Sequence, residues 1–219
     1  MGNFDFSVVV RSWPFLLEGL RLSAVLTLVA MAGGLVLGLM LALARLSRYR
    51  TLATLATLYV NGFRAVPLVL VIFWFYFLVP LVLGQSVGAL PSALIAFTLF
   101  EAAYYSEIIR AGLQAVPRGQ WQAAAAAGLR PAQALRLVVL PQALRHMLPL
   151  LLTQAVVLFQ DTSLVYVISL RDFMTSAGIV ANRDNRLVEV YMFAALVYFI
   201  LCVSASTAAH FLDKRWRRA

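Results

Sequence analysis

The chain has one cysteine and two histidines in 219 residues. Cys202 alone excludes an intrachain disulfide and leaves the redox compartment unread. His146 and His210 stand far apart, with no cysteine or second histidine at ligand spacing, so no metal site is expected. No G-x-x-x-x-G-K-[ST] run occurs, so the chain lacks a nucleotide-binding P-loop of its own. No nucleophile–base pair has a recognisable spacing, which leaves an enzyme reading without a motif. Residues 1–19 carry Asp5, Arg11, Pro14 and Glu18, and lack the charged start, apolar run and cleavage site of a signal peptide. Charge is scarce throughout, at 12%, about half the usual share in soluble domains.

Apolar residues fill the space that charge leaves. They make up 63% of the chain, and the mean hydropathy is +0.87, the composition of an integral membrane protein. A net charge of +9 would fit a nucleic-acid binder if the cations lay on one surface. They fall instead into three clusters: Arg45, Arg48 and Arg50; Arg110, Arg118, Arg130, Arg136 and Arg145; and Lys214, Arg215, Arg217 and Arg218. Clusters alternating with weakly charged connections are the mark of the positive-inside rule, so no nucleic-acid partner is expected.

A helix needs about 20 mostly apolar residues to cross the hydrocarbon core. Five runs qualify: Leu22–Ala44, Ala65–Leu83, Ser92–Ile109, Leu148–Leu170 and Val190–Leu212. The expected fold is therefore all-α, a polytopic membrane protein with five transmembrane helices. An odd count puts all three basic clusters in the cytoplasm, with the N-terminus outside and the C-terminus inside. The implied organisation is an external N-terminal segment (1–19), one transmembrane domain (20–212) with a cytoplasmic loop over 111–146, and a basic cytoplasmic tail (213–219). Arg171–Glu189 is expected to be a polar external segment, either solvated or in contact with a soluble partner. Gly34 and Gly38 have the spacing of close helix packing and carry no chemistry.

The cytoplasmic loop contains Gln122-Ala123-Ala124-Ala125-Ala126-Ala127-Gly128, followed by Val138-Val139-Leu140-Pro141. An alanine run is a strong helix former and Gly128 a good stop. Pro131 suits the first turn of a following helix, and Pro141 is expected to break the run again. The result is a short knob of small side chains that fits closely into a partner's groove.

Charges inside membrane spans are costly and count as functional candidates. Glu101 lies near the middle of the third run. Glu107 is deeper toward the cytoplasm, three residues from Arg110, which favours a local structural pair. Asp161 forms a polar cluster with Gln160, Thr162 and Ser163 in the fourth run. Arg64 is expected at the cytoplasmic start of the second run, where it can snorkel to the interface. For Glu101 and Asp161 two readings stand together: a carboxylate satisfied by a neighbouring helix, or part of a solute path or its gate.

The loop resembles the "EAA" coupling loop of ABC-importer permeases, whose pattern is EAA, three residues, G, nine residues, then I-x-L-P. Ala123, Ala124, Gly128, Leu140 and Pro141 match it; Val138 replaces isoleucine, and Gln122 replaces the glutamate. Tyr59–Arg64 with Pro67-Leu68, Ala103–Arg110, Gly119-Gln120, Leu140–Arg145 and Asp161–Val165 resemble the polar amino acid subfamily of these permeases. Phe100–Glu107, Leu150–Gln154 and Phe159–Tyr166 are similar to its glutamate/aspartate branch, and Gln160 stands where many of the subfamily carry lysine.

The resemblance implies the membrane path of a type I importer in a bacterial inner membrane, carrying a polar amino acid, L-glutamate or L-aspartate first, glutamine or histidine otherwise. The rival outside transport is a plain membrane anchor. The implied partners are a dimer of cytoplasmic ABC ATPases docked on the coupling loops, a related second permease, a periplasmic amino-acid-binding protein and the bilayer. ATP and Mg are implied on the ATPases, with no cofactor on this chain. Arg64, Glu101, Gln160, Asp161, Thr162 and Ser163 become candidates for the path or gate; Gln122, Ala123, Ala124, Gly128, Leu140 and Pro141 become candidates for coupling.

The charge distribution yields a topological test. With Cys202 replaced, single cysteines at positions 130 and 182 should differ toward a membrane-impermeant thiol reagent applied outside, with labelling at 182 only. Labelling at 130 alone overturns the orientation.

Overall fold

The computed structural model describes residues 5–218, and side chains through Phe211 apart from His210. The side chains of Lys214, Arg215, Arg217 and Arg218 lie outside the described residues, as do Met1–Phe4 and Ala219. All regular structure among the described residues is helical. A short α1 (Ser7–Arg11) leads through Ser12 into α2 (Trp13–Arg45). The first span therefore begins well before Leu22, inside the segment expected to precede it. Pro14 does not prevent this, because it occupies the first turn, where a missing N–H leaves no bond unmade.

The second predicted span is bent. α3 (Arg50–Arg64) meets the stretch Leu68–Leu83, which begins with α4 (Leu68–Phe73), at 105°. Pro67 explains the break, since it disfavours helical backbone in the residue before it. A π turn over Trp74–Leu78 then leads into α5 (Val79–Leu83). The wider turn accommodates Pro80. Its missing N–H would orphan the Phe75 carbonyl, which instead accepts a hydrogen bond from Ser92 Oγ at 3.1 Å. Arg64 accordingly sits at the end of α3, at the bend that precedes Leu68.

α6 (Ala89–Gln114) is the central helix, and α2 is its main neighbour. The buried face of α2 runs through Ser23, Leu26, Ala30, Gly34, Gly38 and Ala42. At Gly34 an added Cβ would lie 2.9 Å from Glu101 Cβ, and at Gly38 it would lie 3.0 Å from the Ala102 carbonyl oxygen. Contact this close is what small residues permit, and in lipid it is dispersion and not water exclusion that favours it.

Beyond α6 lie α7 (Arg118–Ala126) and α8 (Pro131–Ala134), then a second π turn over Leu135–Val139 and α9 (Leu140–Asp161). Pro141 does not end the helical run. The π turn bonds Leu140 N–H back to the Leu135 carbonyl, and Pro141 falls in the first turn after it. At Asp161 the helix tightens to a 3₁₀ segment, Thr162–Ile168. Pro131–Ile168 thus forms one apolar rod of 38 residues.

α10 (Phe173–Arg183) occupies most of the Arg171–Glu189 segment. It is folded rather than merely solvated. Asp172 caps it by accepting from Met174 N–H at 3.0 Å and Thr175 N–H at 2.9 Å. Phe173, Ala177, Val180 and Ala181 pack with Val8, Val9 and Leu16 and with Val190 and Ala194 of α11 (Leu187–Arg218). Among the described residues four helices are long and apolar enough to cross a membrane, and the bent α3–α5 unit, taken as one span, makes five.

Close packing at one glycine and open space at another give a stability test. Gly38→Leu should drive α2 from α6 and destabilise the detergent-purified protein by about 1–3 kcal/mol. Gly62→Ala, in a helix with nothing within 4 Å of the new Cβ, should be neutral or stabilising by about 0.5–1 kcal/mol. Equal melting temperatures for Gly38→Leu and the parent would refute the packing account.

Candidate transport path and coupling knob

The knob is built largely from backbone. α7 ends at Ala126 with Ala127 as its cap, and Gly128 turns left-handed at φ 78°. Leu129 N–H then bonds the Ala124 carbonyl at 3.1 Å, and Gly128 N–H bonds the Ala125 carbonyl at 3.0 Å. This double closure is a Schellman end, which an L side chain at position 128 would strain. Arg130 N–H donates to Gln133 Oε1 at 2.9 Å to start α8. Ala124 is buried, while Gln122, Ala123, Gly128, Leu140 and Pro141 are exposed. Gln142, which sequence reasoning passed over, ties the two halves together. Its Nε2 donates to Gln120 Oε1 at 3.1 Å and to the Val138 carbonyl at 2.9 Å.

The intramembrane polar residues separate into distinct places. Glu101 is fully buried on α6, and its two oxygens accept from Gln154 Nε2 on α9 at 3.1 and 3.2 Å. This is the neighbour-satisfied arrangement. Nearby Tyr105 Oη and Ser106 Oγ are buried without a hydrogen-bond partner among the described residues. Gln154 and Asp161, seven residues apart, share a face of α9. Asp161 is half-buried where α9 gives way to the 3₁₀ segment, and its carboxylate makes no hydrogen bond or ion pair among the described residues.

The neighbours of Asp161 point elsewhere. Gln160 is exposed, lies 3.5 Å from Cys202 Sγ on α11, and lines a groove of about 560 Å³ with Tyr198, Ser206 and Thr207. Thr162 is buried and donates to the Phe159 carbonyl at 2.7 Å. Ser163 opens onto a second groove, of about 900 Å³, with Ser169, Arg171, Thr175 and Asn182. The four consecutive polar residues thus form the transition between helix types, each serving a different side.

Arg64 is brought to neither Glu101 nor Asp161. Its guanidinium lies 3.8 Å from Glu107 and 5.5 Å from the centre of the Tyr104 ring. Glu107 does pair with Arg110, the expected local partner, and also with Arg45 at 2.7 Å from the end of α2. Arg45 had counted only as a topological charge in the sequence. Its place two turns beyond Gly38 on the same helix was the available signal.

Residues 34–218 match the family described as binding-protein-dependent transport system inner membrane component. The chain is 49% identical over 222 residues to the glutamate/aspartate import permease protein GltK of Escherichia coli O6:H1, covering 98% of this chain and 99% of that protein. It is 35% identical to the arginine transport system permease protein ArtQ of Bacillus subtilis, covering 91% of each. The crystal structure of an amino acid ABC transporter with histidines aligns with a TM-score of 0.92 at 30% identity, covering 98% of this chain and 100% of that one. With these matches, these spans and this knob, the chain belongs to the family of binding-protein-dependent transport system inner membrane components, as a multi-pass permease of an ABC importer, a transport subunit and not an enzyme.

Proposed function

We propose that this permease forms the membrane path for uptake of L-glutamate and L-aspartate. The observation that carries this reading is the 49% identity to a glutamate/aspartate import permease along 98% of the chain, against 35% to a permease named for arginine. Path and gate are assigned to Arg64, Glu101, Gln160, Asp161, Thr162 and Ser163. Asp161 is the strongest of these, because it combines an unpaired carboxylate with the α-to-3₁₀ transition, a common place for a hinge. An acidic path for an acidic solute is workable when the carboxylates meet the α-ammonium group and arginine meets the substrate carboxylates.

Coupling is assigned to Gln122, Ala123, Ala124, Gly128, Leu140 and Pro141 on the exposed knob. Two cytoplasmic ATPases would carry ATP and Mg, this chain would bind no cofactor, and a related second permease would complete the path. A periplasmic binding protein would deliver the amino acid to the outer face. The N-terminus would be outside and the C-terminus cytoplasmic.

Reconstituted with its ATPase, second permease and binding protein, the chain should take up L-glutamate and L-aspartate in preference to L-glutamine or L-histidine. Asp161→Asn preserves shape and removes charge, and should lower that uptake about tenfold or more with assembly intact. Preference for a neutral or cationic amino acid would overturn the substrate, and parental kinetics in Asp161→Asn would overturn its role.

Coupling makes its own prediction. Ala124→Trp enlarges the knob, and Gly128→Val places a β-branched residue at φ 78°, so each should abolish uptake and loosen the ATPase while membrane insertion stays normal. Parental ATP-driven uptake in both variants would remove the knob from the coupling route.

A further inference from the structure

Glu107 is the meeting point of three guanidinium groups from three helices. Arg45 Nη1 at the end of α2 lies 2.7 Å from Oε2. Arg110, one turn along α6, donates Nε to Oε2 at 3.2 Å and Nη2 to Oε1. Arg64 Nη1 at the end of α3 stands 3.8 Å from Oε2. One carboxylate facing three cations leaves two positive charges in excess beside the α3–α4 bend.

The three cations are not equivalent. The Arg45 side chain is 9% exposed and hydrogen-bonded to the carboxylate. Arg110 bonds both carboxylate oxygens and also Gln114. Arg64 is beyond hydrogen-bond reach and 38% exposed. Oε2 already accepts from two donors, which fills its ordinary capacity. Charge and the Tyr104 ring hold Arg64 where it is. Its planar fork is therefore unused, and a fork of that shape is matched by a second carboxylate.

We propose that Glu107 is a resident stand-in for the substrate: it holds Arg64 while the path is empty and yields it to a carboxylate of the passing amino acid. The exchange leaves no bare charge behind, because Arg45 and Arg110 stay on Glu107 when Arg64 turns away. Tyr104 gives the guanidinium a contact beside both positions. The two surplus charges make the bend hospitable to an anion and repel a cationic side chain. This inference rests on the glutamate/aspartate reading for its ligand; the exchange at Arg64 is its own content.

Equilibrium binding of labelled L-glutamate and L-glutamine to the assembled transporter in nanodiscs, without the binding protein, tests it. Removing the competitor in Glu107→Gln should tighten glutamate binding about threefold, the size of one partly exposed ion pair. Arg64→Gln should weaken binding, and Glu107→Gln should change nothing further in that background. Unchanged, weaker or undetectable binding of both amino acids by Glu107→Gln overturns the exchange. If that variant does not assemble, Glu107→Asp draws the carboxylate back toward α6, keeping a charge beside Arg110 of the same helix and lengthening the already long contact to Arg64. The same tightening is then expected, and its absence overturns the proposal equally. Tightening for glutamine but not glutamate sustains the exchange and rejects the acidic substrate. Glutamate binding that ignores both substitutions rejects the exchange and leaves the substrate reading standing.

Discussion

The approach of α2 to α6 at Gly34 and Gly38 fixes the placement of the remaining spans. Lipid tails are as apolar as the helices, so burial of apolar surface gives these spans little reason to associate. Shape has to supply it. With no side chain at either glycine, Tyr105 lies across α2 and the α6 backbone comes within contact distance. The same register carries Arg45 to Glu107 and orders the inner cluster of Ala42, Ile109, Val139, Ala143 and Met147 beneath the knob. A single packing stripe therefore positions an ion-pair centre and the base of the knob.

The second constraint is that backbone polar groups inside a membrane must find partners within the protein. It explains the irregularities better than any argument from flexibility. Both π turns precede a proline by one residue, at Pro80 and Pro141. One orphaned carbonyl finds a serine on another helix. Thr162 and the Asp172 cap serve the same purpose where α9 tightens and α10 begins. The polar residues of the spans thus divide into those occupied by backbone and those with free capacity, and Asp161 and Arg64 belong to the second group.

Much of this was legible in the sequence because membrane composition is a strong signal. The five apolar runs, the left-handed stop at Gly128 and the small-residue face of α2 each follow from one local rule, and each appears in the structure. The misses share a cause: they depend on which residues face each other across helices. Pro67 and Pro141 look alike as breakers, yet one bends the chain by 105° and the other is absorbed by a π turn. Arg64 and Arg45 were separate charges in the sequence and converge on Glu107 in space. Gln154, the partner of Glu101, lies in a stretch that resembles the family, but nothing in the sequence pairs it with Glu101.

The rod from Pro131 to Ile168 has a mechanical meaning. It joins the exposed knob to the polar transition at Asp161 without an intervening loop, and its two departures from α-helical geometry lie at its ends. α9 between them is about 33 Å long at about 1.5 Å per residue. A tilt of about 10° at the inner π turn would swing the Asp161 end sideways by about 6 Å, from that length. A lever of this kind converts a small rotation beside the knob into a displacement the size of an amino acid side chain at the other end of α9. Its stiffness comes from α9, whose hydrogen-bond ladder lacks one bond at Pro149, and its pivot is the turn that precedes Pro141.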